Sequence, residues 1–223
     1  MNEVLAISDI HLGDKDCQAN QLLKVLKKEK AKTILIVGDL FDHHNLNRLN
    51  KTHWKVLSKL RKLSKRSKII YLIGNHCFLK AEFMSILLGF DCRDEYEFEI
   101  KDKKFIAVHG DIFDIYFSKY KSITEFIVNF YYFIRHYTPF ADNFFKLLRK
   151  KTESLGEKTS NIKGNAIKYC EFNNKDSIIC GHSHKPEHEY GKFEYINTGS
   201  FCEEKVSYVV IDKKGKVNLI YLD

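Results

Sequence analysis

Five short apolar runs do most to limit what this chain can fold into: Val4-Leu5-Ala6-Ile7, Thr33-Ile34-Leu35-Ile36-Val37, Ile69-Ile70-Tyr71-Leu72-Ile73, Phe105-Ile106-Ala107-Val108 and Ser177-Ile178-Ile179-Cys180. They are rich in β-branched residues and unbroken rather than alternating, the pattern of strands buried on both faces. Between the first three lie lysine-rich stretches with apolar residues at helical spacing: Leu22, Leu23, Val25 and Leu26, then Trp54, Val56, Leu57, Leu60 and Leu63. Strand, helix, strand is the order of a βαβ unit, so the sequence predicts an α/β fold with a β-rich end. In such sheets ligands collect in the crevice beyond the carboxyl ends of the strands.

Each run is followed directly by a polar motif: Asp9-Ile10-His11, Gly38-Asp39, Gly74-Asn75-His76, His109-Gly110-Asp111 and Gly181-His182-Ser183-His184. Singly, Asp-x-His reads as a turn residue with a surface histidine, and Gly-Asp as a turn. In order, and all at strand ends, they bring five donor-bearing loops to one place. The donors Asp9, His11, Asp39, Asn75, His109, His182 and His184 are hard to borderline. They suit two divalent ions, manganese first and iron or zinc as alternatives, and no cysteine pair competes. Asp39 has two oxygens and can bridge two cations; ions roughly 3.5–4 Å apart can activate a shared water and neutralise phosphate oxygens during in-line displacement. The expected chemistry is hydrolysis of a phosphoester or phosphoanhydride. His43, His44, His53, His136 and His188 have no such placement and read as packing or solvated histidines, although His43 and His44 follow a ligand loop and could touch substrate.

Taken in order, these motifs resemble the calcineurin-like metallophosphoesterase superfamily across residues 4 to 201. Ser8-Asp9-Ile10-His11-Leu12-Gly13, Gly38-Asp39-Leu40-Phe41-Asp42, Arg93-Asp94-Glu95, His109-Gly110-Asp111-Ile112-Phe113-Asp114 and Asn197-Thr198-Gly199 resemble its UDP-2,3-diacylglucosamine pyrophosphatase branch. The resemblance implies an α-β-β-α sandwich of two mixed sheets flanked by helices. It also implies one metal on Asp9, His11, Asp39 and His184, and another on Asp39, Asn75, His109 and His182. His76 corresponds to the histidine that contacts the phosphate and can protonate the leaving oxygen, a task suited to a side chain that ordinarily titrates at about 6.5. Asp42 and Asp111 are candidates to orient a ligand imidazole. One position departs from the pattern: the superfamily commonly has an acidic residue after Gly-Asn-His, and here Cys77 follows His76. A thiol cannot hold the histidine cationic as a carboxylate would.

At 223 residues and 44% hydrophobic content, with two prolines and no Ser/Gly-rich linker, the chain reads as one domain over 1–223. Cysteines 17, 77, 92, 170, 180 and 202 show no Cys-x-x-Cys spacing and no disulfide framework, which predicts a reducing, cytoplasmic location. The first strand starts at once, and no apolar run nears the ~18 residues of a spanning helix. A net charge of +8, concentrated in Lys24-Lys27-Lys28-Lys30-Lys32 and Lys59-Arg61-Lys62-Lys65-Arg66-Lys68, reads first as solvated helix faces. A peripheral contact with the anionic inner face of a membrane is the functional alternative, and nucleic acid a weaker one.

A helical cap insertion is expected at about 113–172. Ile123, Phe126, Ile127, Phe130, Tyr131, Phe133, Ile134 and Tyr137 have helical spacing, and Thr138-Pro139 should end that helix. Phe140, Phe144, Phe145, Leu147 and Leu148 continue the stripe up to Arg149-Lys150-Lys151. Such a face either packs the insertion or binds an interface or acyl chains. In the resembled branch, the same insertion caps the acyl chains; Lys163, Asn165 and Lys168 could meet the diphosphate or nucleotide. After the fifth motif, Phe193–Ile196, Val206–Ile211 and Val217–Tyr221 read as antiparallel strands, with Asp212-Lys213-Lys214-Gly215-Lys216 as a hairpin turn. The resemblance makes these the second sheet. The functional expectation is a two-metal phosphohydrolase acting on a nucleotide-linked lipid diphosphate. The alternatives are a phosphodiesterase or nuclease, a phosphatase for a soluble substrate and, last, a non-catalytic scaffold.

Overall fold

A computed structural model describes residues 1–77, 81–114 and 161–222. All five apolar runs are strands: β1 (Asn2–Ile7), β2 (Ala31–Val37), β3 (Lys68–Leu72), and, after β4 (Asp91–Arg93) and β5 (Glu95–Ile100), β6 (Lys103–Val108) and β7 (Ser177–Cys180). The chain then adds β8 (Glu187–Glu189), β9 (Glu194–Asn197), β10 (Ser207–Ile211) and β11 (Val217–Tyr221). Helices α1 (Ala19–Lys28), α2 (Lys51–Leu63), α3 (Ala81–Leu88) and α4 (Ile162–Phe172) intervene.

The strands form two mixed sheets, ordered β11-β10-β1-β2-β3-β4 and β5-β6-β7-β9-β8. β1, β2, β3 and β4 run parallel, as do β6, β7 and β9, and antiparallel strands complete each sheet. The C-terminal strands are divided between the sheets. β9 lies in the second, but β10 and β11 extend the first through Val4↔Ile211 and Leu5↔Val210, which corrects the expectation of one C-terminal sheet.

Strand alternation sorts each of the first three runs onto two cores. Val4, Ala6, Leu35, Val37, Ile70 and Leu72 join Phe105, Ala107, Ile179 and Ile196 in one core, which binds the two sheets face to face. Leu5, Ile7, Ile34, Ile36 and Ile69 point the other way, onto Leu22, Val25 and Leu26 of α1 and Val56, Leu57 and Leu60 of α2. Each such aliphatic side chain contributes about 1.5–3 kcal/mol on burial. In α2 the buried face is His53, Val56, Leu57 and Leu60; Trp54, predicted to be on it, is 52% exposed, because it lies about 100° around the helix from His53. The lysines of α1 lie on its exposed side. On the second sheet, α4 buries Ala166 and Cys170, and its Tyr169 hydroxyl donates to Glu95 of β5 at 2.5 Å.

The chain divides into two compact units, residues 1–110 with 166–223, and residues 111–165. The predicted aromatic stripe, Ile123 to Leu148, with Thr138-Pro139 and Arg149–Lys151, lies outside the described residues. Among the described residues no helix is long and apolar enough to cross a membrane.

Candidate metal centre

The carboxyl ends of β1, β2, β3, β6 and β7 lead into the loops that carry Asp9 and His11, Asp39, Asn75 and His76, His109, and His182 and His184. The structure brings all seven predicted ligands together. Asp9 Oδ1 lies 3.3 Å from His184 Nε2 and 3.9 Å from His11 Nε2. Asn75 Oδ1 lies 3.0 Å from His109 Nε2 and 3.1 Å from His182 Nδ1. Asp39 stands between the groups, its Oδ2 3.3 Å from His109 Nε2 and 3.9 Å from His11 Nε2. Ligand atoms of Asp9, His11 and His184 converge within 4.8 Å, as do those of Asp9, Asp39 and His109, and those of His11, Asp39 and His76.

This donor set fits divalent cations. Two atoms bound to one ion at about 2.0–2.2 Å stand roughly 3–4 Å apart, the separations found here. Asp9 Oδ1 and His11 Nε2 are buried without a well-formed hydrogen bond, His184 Nε2 standing 3.3 Å from Asp9 Oδ1, and a cation between these groups would satisfy them. Asp42 Oδ2, buried too, has Arg48 Nη1 at 2.7 Å. Backbone strain marks the same residues. Asp9, His11, Asp39, His182 and His184 all have positive φ, from 44° to 65°. Left-handed backbone costs about 1–2 kcal/mol for a side-chain-bearing residue, so its concentration on five of the seven candidates points to a constraint other than folding.

The motif glycines make room for these side chains. A Cβ on Gly38, whose φ is +85°, would stand 2.1 Å from His109 Nδ1. One on Gly74 would stand 2.3 Å from Asp39 Oδ1.

Burial and charge act against each other on the acidic groups. Burial works to raise the Asp9 carboxyl, but His184 and His109 outweigh it and hold the group at about 2. Burial likewise opposes ionisation of Asp39, yet the imidazoles of His109, His76 and His11 keep it well below the ordinary carboxylate value. His11 is held down to about 4, chiefly by burial and against the pull of Asp39, so near neutrality it is the uncharged imidazole a cation requires.

A second set of contacts orients the donors. His109 Nδ1 meets the Val37 carbonyl at 2.9 Å, which directs Nε2 at Asp39 and Asn75. His184 Nδ1 meets Glu203 Oε1 at 3.2 Å. Asp42 Oδ1 lies 3.8 Å from His11 Nδ1. The Asn197-Thr198-Gly199-Ser200 loop braces the floor: Asn197 Nδ2 donates to the Gly181 carbonyl at 2.7 Å, and Ser200 Oγ to the Asp9 carbonyl at 3.0 Å. Glu203 and Arg48 are absent from the predicted set; Arg48 ends a short 3-10 helix, Leu46–Arg48, Glu203 lies in the loop before β10, and neither belongs to a motif.

His76 is tied down without an acidic neighbour in sequence. Its backbone N–H donates to Asp39 Oδ1 at 3.0 Å, and its Nδ1 meets the Asp42 main-chain carbonyl at 3.0 Å. Cys77, in the place of the usual acid, contacts the Tyr71 hydroxyl. Asp111, Lys163 and Asn165 belong to the second unit, where Asn165 donates to the Phe113 carbonyl at 3.2 Å; Lys168 is exposed on α4. The His43 and His44 rings adjoin at a tilt, with centroids 3.8 Å apart, and His188 Nε2 meets Glu194 at 2.8 Å.

Known proteins show the same organisation. Residues 3–186 match the family model described as calcineurin-like phosphoesterase. No curated protein matches the chain. Solved structures similar to it include an archaeal phosphodiesterase (18% identity, 98% of this chain and 99% of that one, TM-score 0.52). The Escherichia coli phosphoesterase Yfce is also similar (16% identity, 99% of each chain, TM-score 0.50). So is Entamoeba histolytica Vps29 complexed with zinc (14% identity, 99% and 98%, TM-score 0.53). At these identities the structures show a shared fold, and with the family match over most of the chain, the protein belongs to the calcineurin-like phosphoesterase family.

Proposed function

We propose that the protein is a two-metal phosphohydrolase, on the strength of one observation: seven donors arranged as two groups with Asp39 between them. In this reading Asp9, His11, Asp39 and His184 hold one divalent ion, and Asp39, Asn75, His109 and His182 the other. Bound there, the ions supply Lewis acidity and neutralise phosphate charge. Manganese is the first choice, and iron and zinc suit the same donors.

The protein's own groups do the rest. Asp39 stands between the two subsites, its Oδ2 facing both His11 and His109, while its Oδ1 accepts the His76 backbone N–H. The Asp42 carbonyl opposite Nδ1 of His76 fixes the ring and leaves Nε2 as the working nitrogen, available to contact phosphate and to hand a proton to the leaving oxygen. A carbonyl supplies orientation without full charge, which makes it the substitute for the missing acidic neighbour. Asp42 carries a further load, because its carboxylate faces His11 and is anchored by Arg48.

For the substrate, we propose the diphosphate of UDP-2,3-diacylglucosamine or a similar nucleotide-linked lipid, cleaved to UMP and a lipid phosphate. This rests on the motif resemblance, including Asn197-Thr198-Gly199, and on the aromatic, basic-edged stretch between the fourth and fifth motifs. In this reading that stretch, about 113–172, is a cap over the acyl chains. Lys163, Asn165 and Lys168 are its proposed diphosphate contacts, and Asp111 a proposed orienting carboxylate. The protein would then work on the inner face of the cytoplasmic membrane. A soluble phosphodiester is the second reading, favoured by the similarity to an archaeal phosphodiesterase. The test is manganese-dependent release of UMP from UDP-2,3-diacylglucosamine in mixed micelles, beside a simple aryl phosphodiester. Release of UMP supports the lipid reading; cleavage of the aryl diester alone keeps the two-metal reading and discards the lipid.

A further inference from the structure

Outside the metal centre, among the described residues, a pair of cysteines far apart in sequence bears chemistry that no step above uses. Cys17 and Cys202 are both partly accessible, free and in side-chain contact with each other. The fold brings them together through the main chain: the Gln18 N–H donates to the Phe201 carbonyl at 2.7 Å, and the Gln18 side chain donates to the Glu203 carbonyl at 2.8 Å. Residues 17 and 202 flank that junction. Cys17 also touches His53, a buried residue fixed by backbone N–H groups of Gly13 at 3.2 Å and Asn50 at 3.3 Å.

We propose that Cys17 and Cys202 are a site of reversible oxidation, forming a disulfide in response to a peroxide. Three features make Cys17 the attacking sulfur. It precedes the N-terminus of α1, where the unpaired amides favour negative charge. It lines a cavity of about 340 Å³ between the starts of α1 and α2, which admits a small oxidant. The Cys202 thiol, and after it His53, stabilise the thiolate against the cost of burial and hold Cys17 at about 6, whereas Cys202 is pushed up. A metal-binding role fits less well, since these three residues are not among the donor groups that converge within 4.8 Å.

The chemistry balances. The Cys17 thiolate attacks one peroxide oxygen, an S–O bond forms as the O–O bond breaks, and the departing hydroxide takes a proton to become water. Cys202 sulfur then attacks Cys17 sulfur; the S–S bond forms, the S–O bond breaks, and the sulfenic oxygen leaves with two protons as a second water. Two electrons pass from the thiols to one peroxide. The modification falls beside the metal-ligand loop, since Cys202 Sγ is also 3.4 Å from the Ile10 carbonyl, between Asp9 and His11.

The test reads the sulfurs directly and is independent of phosphoesterase activity. Full-length protein is treated with hydrogen peroxide, blocked with iodoacetamide, digested and mapped by mass spectrometry. The expected product is a Cys17–Cys202 cross-linked peptide that dithiothreitol releases, that is absent from Cys17→Ser and Cys202→Ser and that persists in Cys92→Ser. In untreated wild type, which avoids any folding defect of a variant, Cys17 should be alkylated at pH 6.5 at least ~10-fold faster than Cys92, whose thiol burial pushes up to about 11. A different dominant disulfide, oxidation of Cys17 to sulfinic acid without a cross-link, or alkylation of Cys17 no faster than Cys92 would each overturn the proposal.

Discussion

Glu203 Oε1 lies 3.2 Å from Nδ1 of His184, and the opposite nitrogen of that ring points at Asp9 Oδ1, 3.3 Å away. A carboxylate, an imidazole and a ligand oxygen in line is the arrangement that fixes a metal-binding histidine's tautomer and raises its basicity. The glutamate's side chain is 40% exposed, so the pair itself adds little stability. Glu203→Ala is therefore expected to weaken divalent-metal binding about 10–100-fold while leaving the unfolding midpoint of the metal-free protein nearly unchanged. Calorimetric metal titration checks the first part and thermal denaturation the second; unaltered affinity would remove Glu203 from the site.

Acidification should destabilise the metal-free protein in two stages. His11 is held at about 4 in the folded state against an ordinary 6.5. The unfolded chain therefore takes up its proton first, and stability falls as the pH drops from about 6.5 to about 4. His43, also lowered to about 4, mainly by burial and then by His44, adds to the same window. Asp9 acts lower: its stabilisation is complete above its ordinary 3.8 and is lost as the pH falls toward about 2. Thermal denaturation across about pH 3–7 should show the upper stage, reduced in His11→Gln. A wild-type midpoint that stays level between 6.5 and 4 would contradict it.

Gly38→Ala should be costly. The new methyl would meet His109 at 2.1 Å, on a backbone with φ of +85°. Left-handed strain of about 1–2 kcal/mol and overpacking of about 1–3 kcal/mol together give an expected loss of roughly 2–5 kcal/mol in urea unfolding. A loss below about 0.5 kcal/mol would contradict both the backbone strain and the clash with His109.

The parts of the fold and site legible in the sequence are those whose signal is local. Buried parallel strands read as unbroken apolar runs, and all five became β1, β2, β3, β6 and β7 with their donors at the carboxyl ends. β5, Glu95 to Ile100, alternates charged and apolar residues as an antiparallel edge strand and was not among the predicted strands. The split of the C-terminal strands depends on Val4 pairing with Ile211, a contact across more than 200 residues that no local pattern encodes. Glu203 and Arg48 were hidden for the same reason: their roles come from which imidazole or carboxylate the fold sets opposite them.

The proposed pair of metal sites, joined by Asp39, is tested by counting the ions. Metal-free wild type and Asp39→Asn are titrated with manganese, bound ions per chain are determined, and hydrolysis of an aryl phosphodiester is followed in the same samples. Two tightly bound ions are expected in the wild type and fewer in the variant, with at least a ~10²-fold loss of turnover. A wild type that binds fewer than two, or an Asp39→Asn protein that keeps both ions and the full rate, would contradict this pair of sites.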